Sequence, residues 1–153
     1  MGTAHRRRKP EPSEAGPFLG IDLGTRRVGV AVSDPSCTVA SGLETLRVKS
    51  LADAVALVAE LARRRAARRV VVGLPLNMNG SEGEKAREAR QFAKLLGEEI
   101  ESPTVLWDER LTSVQARGEL DRLGVGRSTS RDKARVDRVA ATLLLQSYLD
   151  SLK

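Results

Sequence analysis

Apolar residues along this chain come in short blocks whose spacing alternates between the period of a strand and that of a helix. Phe18-Leu19-Gly20-Ile21 is a compact apolar run that ends in Asp22. A tight connection, Gly24-Thr25-Arg26-Arg27, leads into Val28-Gly29-Val30-Ala31-Val32, so the two runs predict a β-hairpin. A third strand is expected from Leu43 to Val48. Ser50 then offers an N-cap to a helix whose apolar positions Leu51, Ala54, Val55, Val58, Leu61 and Ala62 keep three-four spacing. The β-branched run Val70-Val71-Val72 stops at Gly73-Leu74-Pro75, as a buried parallel strand does before a loop.

Ser81 and Glu84 form a capping-box pattern ahead of Ala86, Ala89, Ala93, Leu96 and Ile100, which predicts a second helix. Thr104 to Trp107 reads as a further strand ending at Asp108-Glu109. Thr112 and Gln115 repeat the capping pattern before a helix to about Leu123, and a last helix is expected from Asp132 to Leu152. Strand runs followed by alternating helices and strands predict an α/β domain with an antiparallel hairpin at its front. The order is that of the ribonuclease H-like fold, a five-stranded mixed sheet flanked by helices.

Residues 1–17 carry three prolines, the cluster Arg6-Arg7-Arg8-Lys9 and few apolar side chains, which predicts a disordered basic tail ahead of a single domain over 18–153. With 153 residues, 41% hydrophobic and 30% charged, the chain suits one globular core. No apolar run approaches the roughly 18 residues of a membrane span, and no secretory signal is visible. A lone cysteine, Cys37, cannot make an internal disulfide, so a cytoplasmic location is expected.

Composition also removes chemistries. The one histidine, His5, lies in the tail, which argues against a Ser-His-Asp triad or a histidine-rich zinc site. Four aromatic residues are too few for a base-stacking platform. Carboxylates, hydroxyls and cations remain. Asp22 ends a strand that should be central, and its neighbours on that face, Gly20 and Gly24, predict a bare surface open to a large ligand. In the last helix Asp137 stands in line with Ala140, Ala141, Leu144 and Tyr148, so an acid falls on the stripe that faces the core. Asp108 and Glu109 follow a strand at the edge where ligands meet parallel sheets, and strand alternation admits one of the two. Carboxylates from three separate segments, without histidine, suit Mg²⁺ or Mn²⁺, whose ligands are oxygen atoms. Two such ions could support phosphodiester hydrolysis without a covalent nucleophile.

The net charge of +6 and the predominance of arginine among 26 cations favour a polyanionic partner. The loop from Gly124 to Arg135 brings Arg127, Arg131, Lys133 and Arg135 close ahead of Asp137, with Asp132 as its one acid. These four, with Arg26, Arg27 and Arg110, are candidate nucleic-acid contacts. Arg63-Arg64-Arg65 with Arg68-Arg69 reads as mostly solvated surface.

Four segments carry a more specific likeness. Gly20-Ile21-Asp22-Leu23-Gly24-Thr25-Arg26-Arg27-Val28-Gly29-Val30-Ala31-Val32-Ser33-Asp34 resembles the opening motif of the YqgF/RuvX family. Val72 to Ser81, Asp108 to Ser113, and Val136-Asp137 with Ala140-Ala141 and Leu145 to Leu149 resemble its later motifs in order and spacing. The resemblance implies a ribonuclease H-like nuclease of structured nucleic acid that processes the 5′ end of pre-16S ribosomal RNA, with Holliday-junction resolution the older proposal. It also implies catalytic, metal-binding roles for Asp22 and Asp137, joined by Asp108 or Glu109. Against resolvases of the RuvC type, the strand ending Gly73-Leu74-Pro75 lacks an acid, and Ala140 stands where those proteins have another.

Two rival readings come from other classes. Ile21-Asp22-Leu23-Gly24-Thr25 also resembles the phosphate hairpin of the actin and sugar-kinase superfamily, whose members close two such domains over ATP; 153 residues hold one. A non-catalytic RNA-binding or transcription-associated factor could use the same fold.

Overall fold

The structure, a computed structural model, describes residues 15–112 and 130–153. The tail to residue 14, Arg127 and the helix expected to follow Thr112 lie outside the described residues.

Strands β1 (Phe18–Leu23), β2 (Arg27–Ser33) and β3 (Ala40–Arg47) form an antiparallel meander. On the other side of β1, β4 (Arg69–Leu74) and β5 (Thr104–Asp108) join in parallel, giving a five-stranded sheet of order β3-β2-β1-β4-β5 among the described residues. Helices α1 (Leu51–Arg64) and α2 (Glu84–Glu99) cover one face, and α3 (Ser130–Ser151) covers the other. This is the mixed α/β sheet expected from the apolar pattern.

Alternation along the strands divides the core in two. Leu19, Ile21, Val28, Val30, Val70 and Val72 pack against α1 and α2, where Val58, Leu61, Phe92 and Leu96 are fully buried. Each such side chain contributes about 1.5–3 kcal/mol. Phe18, Ala31 and Val71 face the other way, onto Ala141, Leu145, Tyr148 and Leu149 of α3. Gly20 and Asp22 share this second face, so the alternation that buries Ile21 under α1 and α2 points Asp22 at α3.

Here the structure corrects one expectation. The face beside Asp22 is not bare at Gly20: a Cβ there would lie 2.7 Å from Leu145 Cβ and 3.1 Å from the Ala141 carbonyl oxygen. α3 itself takes the space, and the glycine allows the helix to rest directly on the sheet. Gly24 belongs to the turn, where its N–H donates to the Arg27 carbonyl at 2.9 Å.

Local signals were followed with small shifts. Ser50 caps α1, its hydroxyl accepting from the Asp53 N–H at 3.1 Å. Ser81 does not cap α2. It is held in the preceding turn, bonded to the Asn77 and Asn79 side chains, and the helix starts at Glu84 after Gly83. β3 begins three residues earlier than expected, and α3 begins at Ser130. Among the described residues, no helix is long and apolar enough to cross a membrane.

Candidate active site

β1, β4 and β5 run parallel, so their C-terminal ends meet at one edge of the molecule. Asp22 is the penultimate residue of β1. After β5 the chain makes one 3-10 turn, Glu109–Leu111, capped by Asp108. The turn separates the two neighbouring acids. The Asp108 carboxylate accepts from the Arg110 N–H at 2.9 Å and from the Arg110 guanidinium, with Nη2 at 2.8 Å. Glu109 instead lines an open cleft of about 390 Å³ together with Asp22, Met78, Arg110, Ala140 and Leu144. Its Oε1 lies over Gly73, where a Cβ would come within 2.6 Å. The end of β4, which carries no acid of its own, thus has the Glu109 carboxylate and Leu144 packed over Gly73.

Asp137 reaches the same region from α3. Arg27 Nε donates to its Oδ2 at 2.7 Å, an ion pair between residues 110 apart in sequence. Burial pushes the Asp22 carboxyl up to about 7, and the negative charges of Glu109 and then Asp137 add to the effect. Lys85, in the first turn of α2, opposes it. The charges of two acids from distant segments, Glu109 in the β5 turn and Asp137 on α3, thus act on the Asp22 carboxyl. Among the described residues, no three acids stand close enough to form a ready cation cage.

The turn that follows β4 lines the same cleft through Pro75, Leu76 and Met78. After β4, the Asn77 carbonyl accepts from the Gly80 N–H at 2.8 Å, and Gly80 has φ +84°, which favours glycine. Arg110 Nη1 reaches the Met78 carbonyl at 3.3 Å, tying this turn to the turn of Glu109. Asp34, the last residue of the opening motif, has a different task. Its Oδ1 accepts the Thr38 and Val39 N–H groups, which organises the turn between β2 and β3 and holds its pKa down at about 2, the Ser36 hydroxyl being the largest cause.

Of the basic candidates, Arg26 is exposed in the hairpin turn, while Arg27 and Arg110 are engaged by Asp137 and Asp108. Arg131, Lys133 and Arg135 are exposed on α3. The sequence reading missed Arg138, which with Arg135 and Gly42 of the edge strand β3 lines a shallow groove. Its spacing, three residues after Arg135 and seven after Arg131, was the available signal. Lys85 gave none, because nothing local links α2 to Asp22. Of the helix-end cluster, Arg64 and Arg65 are exposed, but Arg68 and Arg69 lie over the Phe18 ring at 4.7 and 5.2 Å.

The family model for RuvX, described as a Holliday junction resolvase, matches residues 16–151. The chain belongs to the RuvX family. It is 45% identical over 135 residues to a protein of Caldanaerobacter subterraneus named "Putative pre-16S rRNA nuclease", covering 88% of this chain and 96% of that one. A protein of the same name from Moorella thermoacetica is 46% identical over 135 residues, covering 88% and 95%. Among solved structures, RuvC of Thermus thermophilus in complex with a Holliday junction substrate superposes with a TM-score of 0.59 at 16% identity, covering 90% of this chain and 97% of that one. The fowlpox virus resolvase bound to Holliday junction DNA gives 0.54 at 13% identity, covering 89% and 98%. At these identities the likeness is one of fold, and it places this RuvX chain in the ribonuclease H-like class that its strand order suggested.

Proposed function

We propose that this RuvX protein is a divalent-metal-dependent endonuclease that cuts the 5′ side of precursor 16S ribosomal RNA. The observation that carries the reading is Asp22 at a cleft that Glu109 also lines, its ionisation opposed first by burial and then by the charges of Glu109 and Asp137. Such a concentration of carboxylates is costly by itself and suits a hard cation. The donor set therefore fits Mg²⁺ or Mn²⁺, with Asp22, Glu109 and Asp137 as its protein ligands. When bound, the metal supplies a water-derived nucleophile and neutralises charge on the cleaved phosphodiester.

The remaining roles fall to the chain. Glu109 and Asp22 both line the cleft and supply its carboxylate oxygen atoms. Asp108 holds Arg110, whose guanidinium lines the cleft where a phosphate oxygen would approach. Arg135 and Arg138 line the groove at Gly42, with Arg131 exposed about one turn earlier on α3, a track for the strand leading to the acids. The names of the relatives support precursor ribosomal RNA as substrate.

The test sets purified full-length protein on a precursor 16S RNA and on a four-way DNA junction side by side, with Mg²⁺ and with EDTA. Metal-dependent cleavage of the RNA supports the reading. Cleavage of the junction alone transfers it to the resolvase activity in the family's description. Tight RNA binding without cleavage in either metal would point to a non-catalytic factor and overturn it.

A further inference from the structure

Arg27 is placed between two demands. Its backbone is fixed in β2 by pairing with Arg47, and its side chain lies on the face that carries Gly29 and meets α3. From there Nε holds the Asp137 carboxylate at 2.7 Å. Yet the side chain keeps 31% of its exposure, and that of Asp137 keeps 21%, so the pair sits at the surface of the site. Among the described residues, the Nη groups of Arg27 have no hydrogen-bond partner. A guanidinium with one nitrogen on a carboxylate and the others facing solvent is arranged to accept a phosphate.

Asp137 is pinned differently. A side chain at Gly29 would collide with its main chain, so the α3 backbone cannot shift toward β2. Its carboxylate can still rotate about the side-chain torsions. Held by Arg27, it does not complete a three-acid cluster, although its charge already reaches Asp22. Freed from Arg27, its charge faces Asp22, on which Glu109 acts as well, and a cation among them is the arrangement that removes this repulsion.

We infer that Arg27 is a substrate-responsive latch on Asp137: it holds the carboxylate in the free protein, and a nucleic-acid phosphate that draws the guanidinium away releases Asp137 to join Asp22 and Glu109 around a divalent cation. The inference rests on the preceding reading of those three acids as metal ligands. It makes Arg27 a positioning residue, which acts through Asp137. Nucleic acid and metal then strengthen each other's binding, and by linkage the coupling is reciprocal.

The test measures binding, apart from cleavage. Mn²⁺ affinity is read from the paramagnetic resonance of the free ion, and RNA affinity in EDTA from fluorescence anisotropy of a labelled hairpin. The full-length proteins are wild type, Arg27→Gln, Arg27→Lys, Asp137→Asn and the Arg27→Gln/Asp137→Asn double variant, each checked for a native melting transition. Arg27→Gln should bind Mn²⁺ about fivefold more tightly than wild type, and Arg27→Lys should lie between them. Asp137→Asn should strengthen metal-free RNA binding by a similar factor, and that gain should vanish in the double variant, because it comes from releasing Arg27. Mn²⁺ affinity unchanged or weaker in Arg27→Gln overturns the latch, as does a gain from Asp137→Asn that persists without Arg27. If the Arg27→Gln/Asp137→Asn double variant binds Mn²⁺ as well as Arg27→Gln does, Asp137 is not a ligand, and the reading of the site fails along with the latch.

Discussion

Gly29 on β2 lies directly beneath the main chain of Asp137, so close that any side chain there would collide with the Asp137 carbonyl group. This contact sets how near α3 can come to the sheet, and with it the position of one of the three acids. Replacement by alanine should force helix and strand apart, at a cost of about 1–3 kcal/mol. Gly29→Ala should lower the melting temperature and reduce cleavage together. Gly97→Ala is the control: it sits on α2 with nothing within 4 Å of the added methyl group, and should be stabilising.

The Asp22 carboxyl, pushed up to about 7, makes stability depend on pH. The folded protein binds this proton more tightly than the unfolded chain, whose aspartate titrates near 3.8. Stability from this group is therefore complete below pH 3.8, falls as pH rises, and is lost by about pH 7. The facing charges are Glu109, Asp137 and Lys85. Asp22→Asn should melt several degrees above wild type near pH ~8, with the gap closing in acid. Added Mg²⁺ should raise the wild-type melting point and leave the variant unmoved.

Asp108 and Glu109 are adjacent but should respond in opposite ways. Glu109→Gln should cut cleavage by at least ~100-fold while leaving the melting point unchanged or raised, because it removes charge from the cleft. Asp108→Ala should lose the cap and the grip on Arg110, costing about 1–2 kcal/mol, with a smaller loss of activity. Melting curves and single-turnover cleavage on both variants separate the roles.

Arg135 and Arg138 offer a graded test of the track on α3. Each change to Gln should weaken binding of RNA of any sequence and lower the slope of log affinity against log salt by about 1. Anisotropy titrations across a salt series measure it.

Ala66, just past the end of α1, has φ +50°. The Ala67 N–H reaches back to the Ala62 carbonyl at 2.9 Å, the closing bond of a helix terminus that usually employs glycine. Ala66→Gly should stabilise the protein by about 1 kcal/mol, or roughly 2–4 °C by calorimetry.

Much of this was legible one residue at a time. Strand alternation showed that Asp22 and Ile21 face opposite ways, and the helical period put Asp137 on the buried stripe of α3, because both depend on neighbours a few residues away. The choice between Asp108 and Glu109 was not legible. It depended on whether β5 ran into a capped turn, where Asp108 would be taken by Arg110. The Ser81 pattern misled because the same hydroxyl could serve a turn or a helix, and the Asn77 and Asn79 side chains claimed it.

The order of elements, the faces of the strands and the supply of carboxylates follow from short-range patterning, since apolar burial acts on local periodicity. The meeting of those carboxylates is another matter. Arg27 with Asp137, Gly20 with Leu145 and Lys85 with Asp22 are pairings across distant segments, created when α3 and α2 docked on opposite faces of one sheet. Coulomb interaction and steric contact depend on distance in space, which a linear string of residues does not contain.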